Sequence, residues 1–128
     1  MVVRLYLFLL LNYQESKDVI MKRYTDLDYA RLYCGKSKSA ADRGIQFNLT
    51  FAQFKKLRKT KVCFYTGVPL TDDNFSIDRI DSSLPYTAKN TVACDKSFNT
   101  MKGMLENPVV KGGLQFFLTG TEKLRSVL

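Results

Sequence analysis

The residues best suited to chemistry are concentrated between positions 76 and 103, in the stretch SIDRIDSSLPYTAKNTVACDKSFNTMKG. A predicted strand ends in acids, a turn closes on an amide, and a predicted helix carries a second amide and a lysine: Asp78, Asp81, Asn90, Asn99 and Lys102. Carboxylate and amide oxygens are hard ligands that suit Mg²⁺ while it keeps several waters. This layout is typical of a small site for metal-dependent hydrolysis of a phosphodiester.

The chain contains no histidine, although a histidine usually supplies the base in a site of this layout. Its absence excludes histidine triads, histidine metal ligands and acid–base catalysis by an imidazole. At 128 residues, the chain is long enough for one compact domain, with or without a tail. The hydrophobic fraction of 45% supplies a real core and argues against disorder over the whole chain.

Positive charge is concentrated in one segment. Between Arg31 and Lys61 there are nine Lys or Arg and one acid, so this segment carries a charge equal to the net +8 of the whole chain. Such clustering indicates a surface that faces phosphates. We therefore expect these side chains to bind DNA: Arg31, Lys36, Lys38, Arg43, Lys55, Lys56 and Arg58. A solvated basic helix face remains the alternative.

The three cysteines, Cys34, Cys63 and Cys94, are odd in number and lack CxxC spacing. This pattern argues against a disulfide framework and fits reduced thiols in a cytoplasmic protein.

The N-terminal residues 1–20 contain an apolar run, Leu5 to Leu11, that is too short to span a membrane. Three interpretations stay open. The segment is a packed strand or helix, a weak targeting segment, or an upstream extension of the reading frame with the natural start at Met21.

The side chains of residues 76–103 can act together only if the surrounding helices and strands position them. A helix is predicted from Asp26 to about Gly44, capped by Thr25 or Asp26, with a possible break at Gly35. A short amphipathic helix with a basic outer face is predicted to start after the cap Thr50.

Strands are predicted in KVCFYTGVPL and NFSIDRI, and TVAC reads as a short strand or a helix entry. The helix DKSFNTMKGMLEN follows, with Asp95 in its first turn. The tail, residues 108–128, is predicted to pack on the core, with a strand around LQFFL and a short helix after Thr121.

The ordered series CFYTG, FSIDRIDSSLPYTAKN and ACDKSFNTMKG resembles the HNH endonuclease family, and in particular its phage-encoded members. The preceding AADRGIQFNLTFAQFKKL is similar to the lead-in of the same group, so the resemblance covers roughly Ala30 to Asn107. It implies an α+β fold, in which a ββα-metal core at residues 61–107 follows a basic helical region at residues 21–60.

The resemblance also implies roles for individual residues. Asp78 matches the strand-end acid that binds Mg²⁺ or Mn²⁺, and Asn99 matches the second metal ligand. Asn90 matches the amide that ties the loop and orients the base, while Lys102 matches a lysine that meets a phosphate.

Arg79 stands where the family has its histidine. A guanidinium cannot take up a proton, because its pKa is above about 12. One solution is that Asp81 serves as base or as a second carboxylate ligand while Arg79 stabilises the phosphate. Another is that the site binds DNA without cutting it. Alternatively, Asp78 and Asp81 are turn acids paired with Arg79 or Lys102.

The zinc knuckles of the family are incomplete here, because Thr66 and Ser97 stand where each knuckle would have its second cysteine. Two thiolates and two hydroxyls make a poor zinc site, so no structural zinc is expected. Cys63 and Cys94 are predicted to be small core residues. Apolar side chains are predicted to replace the metal's contribution to the core: Phe64, Tyr65, Ile77, Val92, Phe98 and Met101.

The sequence thus predicts a basic, phage-encoded endonuclease that acts on duplex DNA in the host-cell cytoplasm, either a homing-type nuclease or a relative of one. A catalytically inactive module on the same fold, binding DNA or a protein, is the alternative.

Overall fold

The computed structural model of the chain describes residues 3–5, residue 7 and residues 23–127. From residue 23 onward the elements are α1 (Asp26–Asp42), α2 (Phe51–Arg58), β1 (Phe75–Arg79), β2 (Thr91–Asp95), α3 (Lys96–Leu105) and α4 (Pro108–Val127). Helices together with a small sheet give the predicted α+β class. The chain divides into two compact units, Met1–Asp95 and Lys96–Leu128.

Residues 3–5 and 7 are helical and exposed, and the rest of the apolar N-terminal run lies outside the described residues. In the part of the chain that the structure describes, no helix is both long and apolar enough to cross a bilayer.

The two helices of the first unit begin at capping boxes. The Thr25 side chain accepts the backbone N–H of Asp28, and the Asp28 carboxylate accepts the backbone N–H of Thr25. Thr50 and Gln53 form the same reciprocal pair at the start of α2. Both starts were predicted, and each cap satisfies two N–H groups that the helix itself cannot pair.

The first helix is continuous through Gly35, so the predicted break there is wrong. It ends with Arg43 as C-cap, followed by Gly44 at a positive φ of 69°. Glycine is favoured there because a Cβ would be strained in that backbone conformation.

Strands β1 and β2 form an antiparallel hairpin in which Phe75 pairs with Asp95 and Arg79 pairs with Thr91. The alternation in FSIDR predicted β1, and β2 is the strand predicted as one of two possibilities for TVAC. The loop from residue 80 to residue 90 joins the two strands, and it carries most of the candidate site.

The core of the first unit has two parts. One contains Ala40, Leu49, Phe54, Ile77 and Tyr86, and it joins both helices to β1 and the hairpin loop. Burying each large apolar side chain of this kind contributes about 1.5–3 kcal/mol.

The second part of the core contains Cys63, Leu70, Ala93 and Cys94. Phe75 packs against both parts and so links them. The prediction that Cys63 and Cys94 are core residues is confirmed.

The segment KVCFYTGVPL forms only an isolated bridge between Val62 and Pro69, closed by a turn with Gly67 at a φ of 73°, so the strand predicted there is wrong. Two members of the predicted zinc-replacing core, Phe64 and Met101, are 61% and 59% exposed, so that set was also partly wrong.

The second unit consists of α3 and α4, joined at Asn107, whose side chain accepts the backbone N–H of Val109 and caps α4. Asp95 is the last residue of β2 and not part of the first turn of α3. The tail is one helix of 20 residues, so the strand predicted around LQFFL and the separate last helix are wrong.

Candidate nucleic-acid interface

Asp78 is the strand-end acid of the hairpin, paired in register with Val92. It is 8% exposed, and its Oδ2 accepts a hydrogen bond of 2.6 Å from the Tyr65 hydroxyl. Burying an ionised carboxylate is costly unless hydrogen bonds or a cation compensate for the lost water. The Tyr65 hydroxyl therefore holds the carboxylate in a defined orientation, while its role as a metal ligand stays a prediction.

Asn90 closes the hairpin loop through its side chain. Its Oδ1 accepts the backbone N–H of Asp81 at 2.9 Å, and its Nδ2 donates to the carbonyls of Asp81 and Pro85, both at 3.0 Å. These three bonds use both ends of the amide. The loop is therefore tied as expected for Asn90, while its role in catalysis stays a prediction.

Asp81 lies in this loop and makes a local turn. Its Oδ1 accepts the backbone N–H of Ser83 at 2.9 Å and the Ser83 hydroxyl at 2.6 Å. Such an Asx turn is a common structural use of aspartate. At least one carboxylate oxygen of Asp81 is thus engaged in holding the loop.

Arg79, at the position of the family's histidine, ends β1. Its Nη1 donates to the Leu84 carbonyl at 2.9 Å, and its guanidinium carbon lies 5.3 Å from the centre of the Tyr86 ring. The loop therefore holds the guanidinium over an aromatic face.

Tyr86 is the centre of a group of positive charges. The Nζ of Lys36 lies 5.1 Å from the ring centre, and Nη2 of Arg43 donates to the phenol oxygen at 3.1 Å. Together with Arg79, these residues form what we call the cation cluster: Lys36, Arg43 and Arg79 around Tyr86.

The cation cluster changes the acidity of the buried tyrosine. Burial raises the pKa of Tyr86, but the hydrogen bond from Arg43 and the charges of Lys36 and Arg43 outweigh it, so the pKa of Tyr86 lies below its ordinary value of 10.0. Lys36 of α1 and Arg43 at its C-cap are therefore close enough to act on one group, and an anion such as a phosphate would experience the same field.

The other basic residues predicted to bind DNA are dispersed over the first unit. Lys38 forms an exposed i,i+4 pair with Asp42, and Lys55 pairs with Asp26 at the start of α1. Exposed pairs of this kind are weak and leave the cation able to change partner.

Arg58 is more constrained than the other basic residues. Its side chain is 13% exposed, its guanidinium lies 4.1 Å from the centre of the Phe75 ring, and Asp72 is 3.9 Å away. Arg31 and Lys56 are exposed, and neither has an acidic partner among the described residues. The structure thus assembles part of the predicted basic set, chiefly Lys36 and Arg43.

Asn99 and Lys102 lie on α3, in the second unit. The Nζ of Lys102 pairs with Glu106 at 2.6 Å, an i,i+4 contact within the same helix. The metal-ligand role of Asn99 and the phosphate-binding role of Lys102 stay predictions from the resemblance.

Cys63 lies in the tight turn where the family has its first zinc knuckle. Burial raises the pKa of this thiol, but hydrogen bonds from Thr66 and from the backbone N–H of Asp95 outweigh it, so the pKa of Cys63 lies below its ordinary value. Among the described residues, no three His, Cys, Asp or Glu side chains are grouped so that they could hold a metal ion.

Two tyrosines of the site were missed by sequence reasoning. Tyr65 was predicted as a core residue without its hydrogen bond to Asp78, and no pattern in the sequence placed cations around Tyr86. Neither role has a local signal, because the partners lie 13 and up to 50 residues away along the chain.

Two viral proteins are similar to this chain. A 29.0 kDa protein of Enterobacteria phage T4, described as uncharacterized, is 30% identical over 95 residues, which is 70% of this chain and 38% of the phage protein. An uncharacterized protein of Acanthamoeba polyphaga mimivirus is 28% identical over 94 residues, which is 73% of this chain and 17% of the mimivirus protein.

This chain therefore spans less than half of the phage protein and less than a fifth of the mimivirus protein. No protein-family model matches the chain, and no solved structure matches it at a significant level.

Proposed function

We propose that this chain is a DNA-binding protein of the HNH type and that its hairpin hydrolyses phosphodiester bonds with Mg²⁺ or Mn²⁺. The supporting observation is the Asp78 carboxylate near the end of β1, which is buried and oriented by the Tyr65 hydroxyl, in the same unit as the cation cluster. A nuclease site needs this combination of a metal ligand and a phosphate-binding charge.

In this proposal the cation cluster binds the DNA backbone. Its members come from α1, from the C-cap of α1 and from β1, and the same core joins α1 to β1, so their spacing is maintained without DNA. Duplex DNA carries about one negative charge per 1.7 Å of axis, and three clustered cations suit two neighbouring phosphates. The viral relatives are consistent with a phage origin, which would place the protein in the cytoplasm of the host cell.

Asp78 is the residue of the first unit that would hold the cation. Mg²⁺ in phosphoryl-transfer sites commonly takes one or two protein carboxylates and completes its shell with water and substrate oxygens. A single oriented carboxylate fits that requirement, and Asn99 enters the site through the resemblance alone. When bound, the cation would stabilise charge on the phosphate oxygens, while Arg79 would bind the phosphate.

The alternative is a module that binds DNA without cleaving it. Two observations favour it, namely the engagement of Asp81 by Ser83 and the cationic side chain in place of the histidine. Neither residue then supplies an obvious proton acceptor for the attacking water.

A plasmid assay with Mg²⁺ or Mn²⁺ separates the two. Asp78→Asn keeps the side-chain size and can still accept the Tyr65 hydrogen bond, but it removes the negative charge. We expect metal-dependent nicking by the natural chain, loss of nicking in Asp78→Asn and Asn99→Ala, and unchanged nicking in the control Asp73→Asn, which alters an exposed acid in the turn before β1.

DNA affinity is measured in parallel, in EDTA, by fluorescence anisotropy. Arg43→Ala should lower the affinity and reduce the slope of log K against log salt by about one. The matched control Lys111→Ala removes the same charge from α4. If the natural chain binds DNA but does not cleave it, the nuclease proposal fails and the binding module stands; if it does not bind DNA, both fail.

A further inference from the structure

A groove of about 390 Å³ lies in the first unit, separate from the Asp78 carboxylate. The residues that matter for its chemistry come from α1, from the end of α2 and from β1: Arg31, Gly35, Lys36, Arg58, Phe75 and Ile77. Pockets for small ligands measure about 300–1,000 Å³, so this volume is at the lower end of that range. It suits a ligand the size of one nucleotide and is too small for a protein helix.

The lining combines an apolar floor with a cationic rim. Leu32, Phe75 and Ile77 contribute apolar surface, while Arg31 and Lys36 contribute positive charge. None of the described residues that line the groove is acidic. A flat uncharged ring attached to an anion matches both features, and a nucleobase with its phosphate is such a ligand.

Arg58 and Phe75 both line the groove and pack against each other. The guanidinium of Arg58 is held 4.1 Å from the centre of the Phe75 ring, and the side chain is mostly buried. Arginine planes and aromatic rings are the surfaces on which proteins stack unpaired bases. The packing of Arg58 on Phe75 reduces the entropy that ordering this surface would otherwise cost on binding.

Lys36 connects the groove with the cation cluster, because it lines the groove and also lies over the Tyr86 ring. We propose that the groove holds one unstacked base of bound DNA while the phosphates next to it lie at the cation cluster. This inference rests on the proposed DNA binding and specifies its substrate class as DNA with an extrahelical nucleotide. An unpaired base costs least to unstack, so bulged or single-stranded positions would be preferred over a continuous duplex.

Gly35 allows the groove to be filled without a change of charge. A Cβ built on Gly35 meets no atom within 4 Å, and the residue lines the groove. Gly35→Leu should therefore occupy the groove, and the helix should tolerate it because leucine is a better helix former than glycine. Gly35→Ala is the smaller step, and Gly103→Leu is the matched control at an equally open helical glycine in the second unit.

Binding is measured in EDTA, so that cleavage plays no part. The probes are a labelled duplex with one unpaired nucleotide, the same duplex with an abasic residue at the bulge, and the fully paired duplex. We expect the natural chain and Gly103→Leu to prefer the base-containing bulge over the abasic bulge by about tenfold, the order of one base-stacking interaction. In Gly35→Leu this preference should fall below about twofold while the salt dependence stays unchanged, with Gly35→Ala between the two.

The possible results separate this inference from the proposed function. If the natural chain binds all three probes equally, with a steep salt dependence, the inference is wrong and DNA binding stands. A preference that survives in Gly35→Leu, when circular dichroism shows that the variant is folded, also overturns it. Absence of binding to all three probes overturns both.

Discussion

Replacing Asn90 by alanine should destabilise the hairpin loop strongly. The side chain is 9% exposed and makes three hydrogen bonds, one accepted from Asp81 and two donated to the carbonyls of Asp81 and Pro85. All three partners are backbone groups, so they cannot rotate to other partners as side chains could. The loop from residue 80 to residue 90 would lose the link between its start, its middle and its end.

The size of the effect follows from those bonds. A typical intramolecular hydrogen bond contributes about 0.5–1.5 kcal/mol net, and a buried partner left unpaired costs about 1–3 kcal/mol. Asp81 is exposed, so water can reach its freed N–H and carbonyl and recover part of the loss. We therefore expect the free energy of unfolding to fall by about 2–3 kcal/mol.

The assay is urea denaturation of the full chain, monitored by circular dichroism, with Asn48→Ala as the control. Asn48 is an exposed asparagine of the same unit, and its replacement should change the free energy of unfolding by less than about 0.5 kcal/mol. A loss below about 1 kcal/mol in Asn90→Ala would refute the reasoning, because the three bonds would then be replaceable by water. A normal stability together with lost DNA binding would instead assign Asn90 a direct role in the interface.

Two further predictions concern titratable groups. The pKa of Tyr86 is held below its ordinary value, so the ionised side chain contributes stability that is present above that ordinary value and is lost as the pH falls through the lowered pKa. Urea denaturation should therefore show a larger deficit of Arg43→Ala at pH 10 than at pH 7, and an equal deficit at both would contradict the coupling. Cys34 is exposed whereas Cys63 and Cys94 are buried, so a thiol reagent should modify one cysteine in the native protein and three in urea. Rapid modification of two or three native thiols would contradict the packing of the second part of the core.

The features that sequence reasoning predicted correctly are those decided by neighbouring residues. Thr25 and Thr50 each stand before an apolar pattern of helical period, and each pairs with a residue three positions later. The alternation in FSIDR likewise defines β1 within five residues. Helix caps and strand alternation depend on residues that are close together in the sequence, so they can be recognised without knowledge of the fold.

The tail shows where local patterns fail. The run LQFFL has the apolar and aromatic content of a strand, and the two preceding glycines suggest a turn. The structure instead continues one helix from Pro108 to Val127, with Asn107 as its cap. A short apolar run fits the repeat of a strand as well as that of a helix. The cap Asn107 at the start of α4 was the more informative signal.

The cation cluster could not have been predicted by the same means. The composition of the segment from Arg31 to Lys61 indicated basic surface, but it did not distinguish Lys36 and Arg43 from the other seven cations. They are selected because they lie near Tyr86, 50 and 43 residues further along the chain. Contacts over such separations depend on how α1 packs against the hairpin loop, which no local pattern encodes.

The proposed nuclease has Arg79 where the HNH family that the chain resembles has a histidine. Arg79 donates a hydrogen bond to the Leu84 carbonyl and lies over the Tyr86 ring, and its guanidinium cannot accept a proton. One oxygen of Asp81 already accepts two hydrogen bonds from Ser83.

In a nuclease at this site a divalent cation held by Asp78 would stabilise charge on the phosphate, while neither Arg79 nor the engaged oxygen of Asp81 would accept the proton of the attacking water. With solvent as the proton acceptor, the rate should rise steadily with pH. If the rate instead levels off above about pH 7, a protein group is accepting the proton. In that case Asp81→Asn should abolish the plateau if Asp81 is that group, whereas Ser83→Ala should preserve it.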